Sequence, residues 1–112
     1  MKSHFIRKGL LWSLMVCLIS SLSAQVANET LGTSAGANLS TGDSCTFIGD
    51  YAGQTNSTGL YNTFVGTYSG NAMTTGDNSV MIVVSAGRNT TTANNNVFIG
   101  WHAALNNTTG ND

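Results

Sequence analysis

The chain repeats with a period of 17 residues over the last three quarters of its length. Glycines keep this interval in three columns, which are Gly32, Gly49, Gly66 and Gly100; Gly36, Gly53, Gly70 and Gly87; and Gly42, Gly59, Gly76 and Gly110. The columns divide the chain into five units without an insertion, 28–44, 45–61, 62–78, 79–95 and 96–112. A unit this short cannot bury an apolar face alone, so the units must stack on one another.

Each unit joins a short β-forming stretch to a run of turn residues. The second unit begins "CTFIGDYAG" and the third begins "NTFVGTYSG", and both continue into segments rich in Gly, Asn, Ser and Thr. Aromatic and β-branched residues favour strands, whereas Gly, Asn and Thr suit turns. Since 17 residues are too few for a pair of helices, we predict an all-β fold, a parallel β-solenoid or β-roll of five coils.

The third and fourth positions of each unit form two apolar columns. Neighbouring residues on a strand point to opposite faces, so one column should fill the coil and the other should lie outside. We predict that the aliphatic column is the core ladder, with Leu31, Ile48, Val65, Ile82 and Ile99. The bulkier column would then be an exposed stripe and an interface between copies, with Phe47, Phe64, Met81 and Phe98. Alternatively, a kink at the glycine turns both columns inward.

The glycine column after the strand has one exception, Val83 in the fourth unit. A β-branched residue is strained at positive φ. Either this column requires close packing rather than special dihedral angles, or the fourth coil is distorted and has a longer strand.

The N-terminal segment has the pattern of a secretory signal peptide, which we assign to residues 1–24, with a lead-in at 25–27. Positive residues precede an apolar run at 9–22, and small residues follow at Ser23 and Ala24. This run is shorter than the roughly 20 residues that span a bilayer. We therefore expect a chain that is secreted or held at the outer cell surface, without a membrane span in its mature part.

The charge and the cysteine content exclude nucleic-acid binding and an internal disulfide. After the signal, Arg88 is the only strong cation, and five acidic residues give a net charge of 1 − 5 = −4: Glu29, Asp43, Asp50, Asp77 and Asp112. Such a chain lacks the basic surface that binds nucleic acid. Cys45 is the one cysteine left, so no internal disulfide can form, and its place at the head of a strand predicts burial.

The sequence gives no support to an enzyme. His102 is the only histidine after the signal, and no Ser or Cys has an evident His and acid partner. Asp43 and Asp77 share a column with Asn94 and Asn111, which favours capping of turns over catalysis or calcium binding. We predict no catalytic residue, no metal site and no cofactor.

Two outer columns are candidates for ligand binding. Adjacent Ser or Thr pairs recur in every unit, and of each pair one side chain should point outward. The second member of each pair defines the threonine column: Thr41, Thr58, Thr75, Thr92 and Thr109. A regular hydroxyl-methyl array of this kind is an alternative ice- or glycan-binding face. Tyr51, Tyr68 and Trp101 could stack on sugars, but we expect them to pack against neighbouring coils.

The unit N-[TV]-F-[IV]-G-x-x-A-G-x(5)-G resembles the head repeats of trimeric autotransporter adhesins, and the "NTxxGxxAG" repeats of secreted bacterial surface and tail-fibre-like proteins. The resemblance covers residues 28–112, although adhesin heads usually have shorter units. It implies a left-handed parallel β-roll, a homotrimer with chains side by side, and attachment to a surface glycan or a host or matrix ligand. The expected function is thus an adhesive or structural module that self-associates along the aromatic column.

Overall fold

The computed structural model describes residues 28–111, and this part of the chain is all-β. Five short strands form one parallel sheet in the order β1-β2-β3-β4-β5. They are β1 (Glu29–Leu31), β2 (Thr46–Ile48), β3 (Thr63–Val65), β4 (Val80–Ile82) and β5 (Val97–Ile99). The predicted parallel β-solenoid is confirmed. The signal peptide at 1–24 and the lead-in at 25–27 lie outside the described residues, as does Asp112.

The strands pair in the register that the sequence period dictates. Phe47 lies opposite Phe64, and Phe64 lies opposite Met81, so each residue meets its equivalent 17 positions later. Strands in a sheet are about 4.8 Å apart, and each sequence column therefore becomes a ladder along the rod axis. Between the strands, the turns also bond coil to coil, as in the bond from the Gly53 N–H to the Ser69 carbonyl at 3.0 Å.

The assignment of the two apolar columns to inside and outside is wrong. Phe47, Phe64 and Met81 are 0% exposed and form the core, and Phe98 packs partly buried against it. These side chains are therefore not available to another copy. The aliphatic column lies on the outside instead, where Leu31 is 70% exposed and Ile99 is 63% exposed. Because the columns still lie on opposite faces, the alternative with both columns inward is also wrong.

The second glycine column explains this arrangement. A Cβ at Gly53 would lie 2.8 Å from Cδ1 of Phe47, and a Cβ at Gly70 would lie 2.6 Å from Cδ2 of Phe64. Each ring thus lies directly against glycine backbone across the narrow coil. The two rings also stack on one another, with centroids 5.0 Å apart and planes 15° apart. Strand alternation then directs the residue on either side of each phenylalanine outward.

Small and polar residues fill the rest of the interior. Ala52 and Ala86 are fully buried, and Met73 is buried at the opposite side of the coil from the strands. At the first position of the first and third units, an asparagine links consecutive coils. Asn62 donates from Nδ2 to the Gly76 carbonyl at 2.6 Å and accepts from the Ser79 N–H at 2.9 Å. Since these buried polar atoms have partners, they stabilise the stack instead of opposing it.

The fourth coil departs from the others at Val83. In the equivalent position, Gly49 and Gly66 have φ angles of 122° and 131°, and a Cβ at Gly49 would lie 2.7 Å from the Gly66 carbonyl carbon. This column thus requires both close packing and a special dihedral angle. Val83 adopts φ 89°, and β4 keeps three residues. The fourth coil is distorted, but its strand is not longer.

Candidate interaction surfaces

The most apolar surface of the rod is the outward side of the sheet. We call it the outer sheet face, and its residues are the first and last of each strand: Glu29, Leu31, Thr46, Ile48, Thr63, Val65, Val80, Ile82, Val97 and Ile99. Its fourth-position column is aliphatic in every coil, and the five side chains are exposed or only half-buried. Large exposed aliphatic stripes on a soluble chain commonly mark interfaces. This column, predicted from the sequence to fill the core, therefore lies at the surface.

The outer sheet face changes character along the rod. Beside β1 and β2 it carries Glu29 and Thr46, and Asp50 follows directly after β2. Beside β4 and β5 it carries Val80 and Val97. The equivalents of Asp50 in the last two coils are Val84 and Trp101, and both are exposed. The first two coils thus carry polar or acidic residues at these positions, and the last two carry apolar ones, while the aliphatic column runs through all five.

All five residues of the threonine column are exposed. In the first four pairs, the preceding hydroxyl bonds to the next coil. Ser57 Oγ donates to the Thr74 carbonyl at 3.2 Å, and Thr74 Oγ1 donates to the Thr91 carbonyl at 3.2 Å. Each of these four pairs thus has one member that joins coils and one that faces solvent, as the sequence predicts. The use of this column as a ligand face stays a prediction.

Tyr51 and Tyr68 pack on neighbouring coils, whereas Trp101 does not show the packing that was predicted for it. The rings of Tyr51 and Tyr68 stack with centroids 4.9 Å apart and planes 5° apart. The guanidinium carbon of Arg88 lies 4.5 Å from the Tyr68 centroid. This cation–π contact continues the stack of the two tyrosine rings. Trp101 stacks on His102 with centroids 4.1 Å apart, and both residues are exposed. The predicted packing of the tyrosines against neighbouring coils is confirmed.

The acidic and amide column caps turns, as predicted. Asp77 accepts from the Leu60 N–H at 2.8 Å, and Asn94 accepts from the Asp77 N–H at 2.7 Å. Asp43 accepts from the adjacent Ser44 N–H at 2.8 Å. Asp77 and Asn94 thus satisfy backbone donors of the preceding coil, and Asp43 satisfies a donor in its own turn. Within residues 28–111, no three His, Cys, Asp or Glu side chains gather where they could hold a metal ion.

Cys45 is buried at the head of β2, as predicted, and its side chain is 1% exposed. Its thiol lies 3.4 Å from the Gly59 carbonyl oxygen, to which it donates. Burial raises the pKa of the Cys45 thiol above its ordinary value, and the negative charge of Asp43 acts in the same direction. A thiol in this environment stays protonated at neutral pH, so Cys45 is a core residue and a weak nucleophile.

No family model matches the chain, and neither a curated protein nor a solved structure does. In the described part of the chain, no helix combines the length and the apolar character needed to cross a membrane. Function therefore has to be argued from the surfaces themselves.

Proposed function

We propose that this protein is an exported, non-enzymatic β-solenoid rod that associates with copies of itself through its outer sheet face and serves as a surface or fibre module. The observation that carries the proposal is the aliphatic column on the outward side of the sheet. Leu31, Ile48 and Ile99 are exposed, and Val65 and Ile82 are half-buried, in an unbroken line along the rod. Exposure of these apolar side chains to water is unfavourable, and a second copy that covers them would lower the free energy.

The shape of the rod also favours association. Five strands about 4.8 Å apart extend over only about 20 Å, and short domains bury too little surface to be very stable alone. Covering the outer sheet face would therefore add stability as well as build a larger assembly. The proposed contact between copies therefore lies on the aliphatic column and not, as predicted from the sequence, on the aromatic column.

Several parts of the proposal rest on the sequence resemblance. A homotrimer and an adhesive role toward a glycan or a host or matrix ligand follow from it, whereas the location in the secreted fraction or at the outer cell surface follows from the signal-peptide pattern at residues 1–24. The charges of the described part agree with a role that does not involve nucleic acid, since Arg88 is its only strong cation against four acidic residues.

Sedimentation velocity of the full chain tests the association. We expect a mass above that of a single chain for the wild type, and the monomer mass for Val65→Asp. Thr58→Asp is the matched control, because it puts the same charge on an adjacent coil but in the exposed threonine column. A monomeric wild type at all concentrations would contradict the proposal, as would equal masses for wild type and Val65→Asp.

A second candidate function uses the threonine column for an ice or glycan surface. The observation that favours it is the exposure of all five threonines in register at one per coil. Thr75→Tyr in the central part of this column should abolish thermal hysteresis or glycan retention and leave the fold intact. Unchanged activity in this variant, or no activity in the wild type, would remove this candidate.

A further inference from the structure

The fifth coil presents a row of backbone donors at one end of the rod. In the coils before it, equivalent N–H groups donate to carbonyls of the next coil, as Gly70 does to the Ala86 carbonyl at 2.9 Å. No coil follows the fifth one among residues 28–111, so its donors have no partner in this part of the chain. They are the N–H groups of Val97, Ala104, Asn106 and Thr108.

The first coil presents the matching acceptors at the other end of the rod. In the second to fifth coils, the equivalent carbonyls accept the bonds just described, whereas those of the first coil accept none within residues 28–111. These carbonyls belong to Asn28, Ala35, Ala37 and Ser40. If the first coil of a second copy followed the fifth coil, each of the donors would therefore meet one of these carbonyls in the register of the rod.

A second set of bonds runs in the opposite direction and shows the same match. The Tyr68 N–H donates back to the Asp50 carbonyl of the preceding coil at 2.9 Å. At the ends of the described rod, the equivalent groups are the Trp101 carbonyl and the Ser34 N–H, and neither is paired within residues 28–111. The two ends are thus complementary in both directions of hydrogen bonding.

A nearly buried side chain is directed at the same contact. In the third coil, Asn62 Oδ1 accepts from the Ser79 N–H of the next coil at 2.9 Å. Asn96 holds the same position in the fifth coil and is 2% exposed. Its Nδ2 is fixed by the Gly110 carbonyl at 3.1 Å, and within residues 28–111 its Oδ1 accepts no bond. A buried acceptor without a partner is unfavourable, and the Asn28 N–H of a second copy would occupy the place of its donor.

The end of the fifth coil is also shaped for close packing. Phe98 is half-buried, whereas the side chains of its column in the second to fourth coils are 0% exposed. A Cβ at Gly49 would lie 2.7 Å from the Gly66 carbonyl carbon of the next coil. At Gly100, by contrast, the nearest atom within residues 28–111 would be the Ala103 Cβ at 3.9 Å, apart from the chain neighbours. A further coil can therefore approach as closely here as it does inside the rod, and it would cover the Phe98 ring.

We infer that rods of this protein stack end to end, with the first coil of one copy on the fifth coil of another. The rod itself shows what lies on such an end, because every coil from the second to the fifth lies on a coil of the same repeat. A head-to-tail contact of this kind does not close on itself, so it builds filaments of open length. The inference rests on the proposed self-association, since rods side by side in one direction present several ends together and their few bonds add up.

Val97→Pro in the full chain tests the junction. Val97 lies in the edge strand β5, and proline is tolerated on an edge strand whose N–H is not used in the sheet. Sedimentation velocity of the wild type should show masses that grow without a fixed limit as concentration rises. Val97→Pro should keep the discrete mass of the side-by-side assembly, with growth only at a concentration at least tenfold higher. Val97→Thr retains the N–H and should grow like the wild type, and circular dichroism checks that both variants fold.

A charge pair at opposite ends of the rod gives a second test. Asn38 and Asn106 are exposed and belong to one column, in which Asn89 Nδ2 donates to Asn106 Oδ1 at 3.1 Å. Within one rod they are separated by the rise from the first coil to the fifth, about 19 Å at about 4.8 Å a strand, but at a junction they would face one another. The double variant Asn38→Asp/Asn106→Asp should raise the concentration needed for growth severalfold, because like charges then lie opposite each other. The double variant Asn38→Lys/Asn106→Asp should behave like the wild type.

The possible results separate this inference from the function on which it rests. If Val97→Pro grows like the wild type, or if the two charge variants behave alike, the inference is wrong even where Val65→Asp gives monomers. A wild type with one fixed mass above the monomer at every concentration also overturns it and leaves the side-by-side association in place. If Val65→Asp grows like the wild type while Val97→Pro is monomeric, the ends are the contact and the outer sheet face is not. A wild type that is monomeric throughout overturns both.

Discussion

Phe64 and Val65 are neighbours in β3, yet they lie on opposite faces of the sheet and differ in burial. Phe64 is fully buried between Phe47 and Met81, whereas Val65 is half-buried on the outer sheet face. The inner face is defined by what lies across the coil, which is glycine backbone within contact distance of the ring. Within residues 28–111, no side chain covers the outer face, where Leu31, Ile48 and Ile99 are exposed. Apolar character alone therefore does not place a column inside. The space available on each side of the sheet determines which column is buried.

The largest expected effect is that of Phe64→Ala. Removal of a buried phenylalanine usually costs about 3–5 kcal/mol, which is a large fraction of the stability of a small domain. We expect Phe64→Ala to be largely unfolded by circular dichroism, while Val65→Thr on the outer face shifts the urea midpoint only slightly. Comparable losses in the two variants would break the distinction between the faces.

Gly70→Ala tests whether the glycine column makes room for the rings. The new Cβ would lie 2.6 Å from the Phe64 ring, so we expect a loss of about 1–3 kcal/mol by chemical denaturation. The double variant with Phe64→Leu should recover part of this loss, since leucine occupies less space against the new methyl group. Independent, additive effects of the two changes would mean that the glycine and the ring do not compete for the same space.

Val83→Gly should have a smaller effect of opposite sign. It restores the residue of this column in the other coils and relieves a strained β-branched residue, which costs about 1–3 kcal/mol. The greater freedom of glycine in the unfolded chain offsets about 0.5–1 kcal/mol of the gain. We expect a higher melting temperature for this variant, measured at a concentration where the chain is monomeric. A lower one would show that φ 89° is not strained here.

The smallest expected effect is the pH dependence from Cys45. Burial raises the pKa of the folded thiol, so the folded chain binds more protons than the unfolded chain above the ordinary thiol pKa. The contribution of the thiol is therefore complete below pH about 8.5 and is lost as the pH rises through the folded pKa. Thermal melts between pH 7 and pH 10 should show a smaller loss for Cys45→Ala than for the wild type. An equal loss would place the thiol in contact with water.

The sequence was sufficient for the architecture because the repeat is periodic without insertion. Three glycine columns at 17 residues leave one way to stack the coils, and the pairing of Phe47 with Phe64 follows from that count. The roles of Asp43 and Asp77 as turn caps, and of Tyr51 and Tyr68 as stacked neighbours, were also predictable. The cap of Asp77 and the tyrosine stack depend on residues one coil apart, which the period places together, and the cap of Asp43 is local.

Which apolar column faces inward could be decided only by the tertiary structure. Alternation along a strand places Phe64 and Val65 on opposite faces of the sheet, but it does not determine which of the two faces is buried. The decision depends on Gly70, which lies six residues after Phe64 and meets its ring across the coil. The width of the coil interior at that point depends on how the whole coil closes, so a local sequence pattern does not predict it. The same closure leaves the aliphatic column on the surface, where the proposed side-by-side contacts between copies form.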